Sequence, residues 1–86
     1  MEMFSQRFGL PVHVTRHAAE RMAERYINQD QLLDLLEHGT IRSKDEFRMW
    51  IAKTFPGRND NLVCAAVIIE DRLIVKTVMH HFQWEP

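Results

Sequence analysis

The sequence has 86 residues, 45% of them hydrophobic and 27% charged, a balance that fits one small globular unit and excludes a disordered chain. A formal net charge of −1 excludes a general nucleic-acid coat held by charge alone, while leaving room for a local basic cluster. The lone cysteine, Cys64, excludes a disulfide framework or a cysteine metal knuckle within the chain, and sits in an apolar run as an inert core residue.

No repeat or linker divides the chain, which reads as a single domain over residues 1–86 with its folded core at 12–82. Residues 1–10 are expected to be loose or a short edge strand, and Pro11-Val12-His13-Val14 a strand entering the first helix. Thr15 is placed to cap a helix from Arg16 to about Tyr26, because its hydroxyl can accept from the open amides of the first turn. Ala19, Met22, Ala23 and Tyr26 follow helical spacing and are predicted to form the core stripe. His17, Arg21 and Arg25 then lie four apart on the side away from the stripe.

Asn28 with Gln31 makes a capping-box pattern, and Ile27 with Leu32 stands at staple spacing, which predicts a second helix over Gln29 to His38. Gly39 is expected to end it in a left-handed cap. Beyond it, Phe47, Met49, Ile51 and Phe55 alternate with Arg48, Trp50, Ala52 and Thr54, as in a strand with one face on the core. Pro56 to Asn61 is a turn. Leu62 to Ile69 reads as a central strand that forms a hairpin with Leu73 to Phe82 across Glu70-Asp71-Arg72. Strict alternation in the last strand puts Leu73, Val75, Thr77 and Met79 on one face and Ile74, Lys76, Val78, His80 and Phe82 on the other.

The expected fold class is therefore α+β, with two N-terminal helices on one face of a three- to four-stranded antiparallel sheet. Such a sheet keeps an open face, where Lys76 and His80 would stand with Arg48 and Trp50. The longest apolar run, Leu62 to Ile69, is too short to span a bilayer and the first residues hold no apolar signal core, so the expectation is a cytoplasmic protein without a membrane partner.

An imidazole and two guanidinium groups in one row, His17, Arg21 and Arg25, suit the binding and cleavage of a phosphodiester. The same row is also what a solvated helix face paired with Glu20 and Glu24 would look like. His80 and His81 are strand neighbours that point to opposite faces, and no HxxxH, HExxH or paired-cysteine spacing exists, so neither a metal site nor a cofactor is expected. Trp50, Phe82 and Trp84 offer either an aromatic platform for bases or a surface for a partner or a second copy.

The stretch Val14-Thr15-Arg16-His17-Ala18-Ala19-Glu20-Arg21-Met22-Ala23-Glu24-Arg25, followed by Ile27 and the leucine-rich second helix, resembles a family of small bacterial proteins, the domain of unknown function family forty-two fifty-eight. Its members open with a His-Ala, Arg, Glu-Arg helix and close with an apolar-Thr-apolar segment, here Val75-Lys76-Thr77-Val78, so the likeness spans about residues 12–80. Two features depart from it: Tyr26 stands where glycine is more usual, and the Met79-His80-His81-Phe82 tail is not a hallmark. Such proteins are similar in element order to RelE/ParE-like and BrnT-like toxins, which implies a compact RelE-like domain. The resemblance further implies an RNA-binding protein or metal-independent endoribonuclease, with an RNA substrate and an antitoxin partner. By that analogy His17 is acid or base and Arg21 and Arg25 hold phosphate. His80 completes the catalytic set, with Lys76, Arg48 and Trp50 binding substrate, as an inference from the expected sheet face. The competing reading is a noncatalytic interaction module that dimerises through that face.

Overall fold

The computed structural model describes residues 3–84, in the order β1 (Met3–Ser5), β2 (Leu10–Val14), α1 (Arg16–Glu24), α2 (Gln29–His38), β3 (Thr40–Ser43), β4 (Arg48–Lys53), β5 (Leu62–Ile69) and β6 (Leu73–Phe82). The strands form one six-stranded sheet in the order β1-β2-β6-β5-β4-β3. Every neighbouring pair is antiparallel except β2 and β6, which run parallel through Val12 opposite Leu73 and Val14 opposite Val75. Among the described residues no helix is long and apolar enough to cross a membrane.

The fold is thus α+β with two helices, but the three- to four-stranded antiparallel, RelE-like sheet expected from the sequence is corrected to a six-stranded mixed one. Two strands also precede the helices. The two strands outside the expected count carry no hydrophobic pattern: β1, allowed for only as a short edge strand, has three residues, and Thr40, Arg42 and Ser43 of β3 are exposed. The parallel pairing joins segments far apart in the chain, so no local spacing announces it. The open alternative for residues 1–10 resolves as an edge strand, with Met1 and Glu2 outside the described residues.

The second helix forms as its caps predict. Asn28 accepts from the Gln31 amide at 2.8 Å while the Gln31 side chain accepts from the Asn28 amide at 3.0 Å, so two orphan donors are satisfied reciprocally. Leu32, Leu35 and Leu36 are fully buried. Gly39 differs from expectation, since its backbone is extended and not left-handed. Space is what requires glycine there: a Cβ would stand 2.5 Å from the Leu35 carbonyl and 2.7 Å from Ile51 Cγ2.

In α1 the buried residues are Ala18 and Met22, whereas Ala19, Ala23 and Tyr26 of the predicted stripe are exposed. The helix is rotated because three alanines mark no face strongly, while Arg21 and Arg25 can lay their stems on apolar surface. The row containing them therefore borders the sheet instead of facing away from it. Thr15 caps the helix by accepting from the Ala18 amide at 3.1 Å, and its hydroxyl donates to the Lys76 carbonyl at 3.2 Å.

That second bond shows how the chain closes the sheet. β2 pairs with β6 only as far as Val75, and beyond it α1 runs beside the open edge of β6. Three donors satisfy carbonyls along this edge: the Thr15 amide on Val75 at 3.2 Å, the Thr15 hydroxyl on Lys76, and Arg25 Nη1 on Val78 at 3.1 Å. Register shifts in the β5–β6 pairing, between Ala66 and Val67 and between Leu62 and Cys64, break the alternation of β6. Leu73, Val75 and Val78 all join the core, against the expectation that Val78 faces away from the other two.

Candidate functional site

The breaks in β6 decide where its polar residues go. Lys76 stays on the open face and shares a hollow with Arg48 and Trp50, as the sequence suggested. His80 does not join them. Its Nδ1 lies 3.1 Å from Asp60 Oδ2, at the end of α1 on the helix side of the sheet. His81 takes a left-handed conformation, φ 53°, so the two neighbouring rings do not point to opposite faces but sit with centroids 4.5 Å apart. Both histidines line one hollow of about 370 Å³ with Arg25, Tyr26, Arg58 and Asp60.

The hollow is built on the turn between β4 and β5. Arg58 donates to Asp60 through Nε and Nη2, and to the carbonyls of Arg25 at 3.0 Å and Tyr26 at 3.0 Å. It thereby satisfies carbonyls left over at the end of α1. Asp60 is 7% exposed, and its backbone carbonyl accepts from the His81 amide at 2.8 Å, so one residue orients both histidines. The hydrogen bond from Arg58 holds the Asp60 carboxyl down at about 2, helped by His80 and opposed by burial.

An ionised Asp60 is an acceptor, so His80 must carry its proton on Nδ1 and present Nε2 as the basic nitrogen. Each Arg58 nitrogen is occupied, so that guanidinium is scaffolding. Arg25 is less fully used. Its Nη1 reaches Val78, and its Nε is buried with no partner among the described residues. The hollow thus sets the Arg25 side chain beside two imidazoles, groups whose chemistry suits anion binding and proton exchange.

The other residues of the predicted helix row lie elsewhere. His17 is exposed, Arg21 pairs with Glu24, and neither lines the hollow that holds Arg25 and His80. The structure thus unites Arg25 with His80 and leaves His17 and Arg21 apart. A larger hollow of about 600 Å³ beside Met3, Val12, His13 and Arg72 has no carboxylate-bound imidazole among the described residues. No group of three His, Cys, Asp or Glu side chains there could hold a metal ion. Cys64 is fully buried and burial pushes its thiol up to about 12.

Sequence reasoning missed Arg58, Asp60 and the meeting of His80 and His81 in one hollow. Arg58 and Asp60 stand in a polar turn, where charged residues are ordinary, and nothing local marks a partner twenty residues further on. His81 was assigned by strand alternation, which a left-handed residue breaks.

No curated protein and no solved structure matches the chain. Residues 14–80 match the family described as Domain of unknown function (DUF4258), a span that runs from the end of β2 almost to the end of β6 and includes Arg25, Arg58, Asp60 and His80. Since the match covers well over half of the sequence, the chain belongs to that family.

Proposed function

We propose that this protein is a toxin-like, metal-independent endoribonuclease, of the kind neutralised by an antitoxin, whose acid–base centre is the histidine pair beside α1. The observation that carries this reading is the placing of two imidazoles in one hollow, one of them held by a buried carboxylate. Cleaving RNA without a metal requires a base for the ribose 2′-hydroxyl and an acid for the departing 5′-oxygen. His80 Nε2 takes the 2′-hydroxyl proton as the 2′-oxygen bonds to phosphorus. A protonated His81 gives its proton to the 5′-oxygen as the old phosphorus–oxygen bond breaks. The products are a 2′,3′-cyclic phosphate and a free 5′-hydroxyl, and Arg25 stabilises the charge that grows on the phosphate between them.

The test is cleavage of RNA in excess chelator by protein stripped of copurifying partners. His80→Ala is expected to lower the rate at least about a hundredfold, the usual scale for a positioned acid or base. Asp60→Asn should weaken cleavage and displace the limbs of a bell-shaped pH profile. His17→Ala and Arg21→Ala should cleave like the parent; a loss confined to these two would return the chemistry to the helix row. Cleavage by His80→Ala at the parent rate would end the assignment.

A further inference from the structure

We infer that the open face of the sheet binds an unpaired stretch of RNA, with Trp50 standing as a stacking wall between two successive bases. This names the substrate class of the proposed function and rests on that reading for the choice of polymer, but it does not require His80 to be catalytic.

Trp50 is half-buried and lines two separate hollows on this face. One, of about 290 Å³, is floored by Ala66 and Ile68 and ringed by Lys44, Arg48 and Lys76. The other, of about 430 Å³, lies between Trp50, Met79, Phe82 and Trp84, beside Arg42. Arg42 places its guanidinium 4.6 Å from the Trp84 ring centre, which carries the tail from the end of β6 across the open face toward β3. Trp50 thus borders both hollows, and the Lys44 ammonium lies 5.9 Å from its ring centre.

Charge chooses the occupant. The whole chain has net charge −1, yet the smaller hollow is lined by Lys44, Arg48 and Lys76 and by no aspartate or glutamate among the described residues. Asp45, in the turn before β4, is tied to Arg48 at 2.6 Å. Lys44 and Lys76 form no ion pair with a described carboxylate. A second copy docked by two-fold symmetry would press this positive face on itself, and lysine is depleted from the cores of protein interfaces. A polyanion with flat apolar bases meets both features at once. Duplex RNA has its bases already stacked and offers them no entry to a hollow.

The experiment titrates the His80→Ala protein with an eight-nucleotide oligouridylate and with a duplex RNA of equal length, following tryptophan fluorescence and confirming by sedimentation. Expected results are binding of the single strand, at least about tenfold weaker binding of the duplex, and a log–log salt slope of roughly −1.4, as the two counterions released by Lys44 and Lys76 would give. Trp50→Ala should weaken binding about tenfold or more. Lys76→Glu, a change at an exposed position, should weaken it while leaving the melting curve intact. Single-strand binding unchanged in both variants would overturn the inference. So would a dimer that Trp50→Ala dissociates, in a protein that binds no RNA. Binding without cleavage by the parent would retire the catalytic reading and keep the platform, whereas His80-dependent cleavage with Trp50-independent binding would do the reverse.

Discussion

Tyr26 carries the sharpest local conflict in the chain. It occupies the left-handed region, φ 56°, at the corner between the helices, and its side chain is 87% exposed. A residue with a Cβ loses about 1–2 kcal/mol there, which is why glycine suits this corner. Arg58 compensates by holding the Tyr26 and Arg25 carbonyls, so the corner forms with tyrosine in it. Tyr26→Gly removes the strain, loses little packing, and gives back part of the gain through a more flexible unfolded chain. It should stabilise the protein by about 0.5–1 kcal/mol, seen as a melting temperature a few degrees higher. An unchanged or lower melting temperature would mean that the tyrosine side chain makes a contribution its exposure hides.

Between elements, each helix ends on an arginine borrowed from a distant loop. Arg7, between β1 and β2, donates to Leu36 at 3.2 Å and Gly39 at 2.8 Å at the end of α2, while Arg58 does the same for α1. The Arg58 device depends on Asp60, and its pH dependence has a definite sign. Because the folded carboxyl titrates at about 2 and the free one at 3.8, the pair stabilises the fold above pH 4 and loses its effect as pH falls toward 2. Asp45, held at about 2 mainly by Arg48, contributes to the same acid window. In urea melts Asp60→Asn should be less stable than the parent by roughly 1–2 kcal/mol at pH 7, with the gap closing below pH 3. A gap that persists undiminished at pH 2.5 would show that shape, not charge, is what Asp60 supplies.

At the same scale, the legibility of the sequence divides by how local each cause is. Helix α2 could be read because its cap and leucines lie within one window. Helix α1 could be placed but not rotated, since Ala18, Ala19 and Ala23 differ little in hydrophobicity and the buried choice depends on what β6 presents. The turn at Pro56 to Asn61 was legible as a turn, yet its use as the floor of the hollow depends on His80 arriving from another strand. Trp50, Arg48 and Lys76 were placed together correctly because β4 and the first half of β6 keep their alternation. His80 was misplaced because the second half does not.

For the molecule as a whole, the N-terminal segment separates a loose leader from a working part of the fold, and the distinction is measurable. Fully buried Ser5 accepts from the Phe8 amide, and Met3 and Phe8 pack against the core. Glu37 of α2 accepts the amides of Gln6 and Arg7 at 2.8 Å each. Half-burying two large side chains contributes about 2 kcal/mol, and the Arg7 and Glu37 bonds add about another 1–2 kcal/mol. An 86-residue domain has a total stability of only about 4–13 kcal/mol, so a loss near 3 kcal/mol would be a large fraction of it. Deleting residues 1–9 should therefore lower the urea midpoint markedly while a cooperative transition remains, because β2 and its parallel pairing to β6 are retained. A truncated protein that unfolds at the parent midpoint would show that β1 contributes nothing, and that the sheet is complete from Leu10 onward.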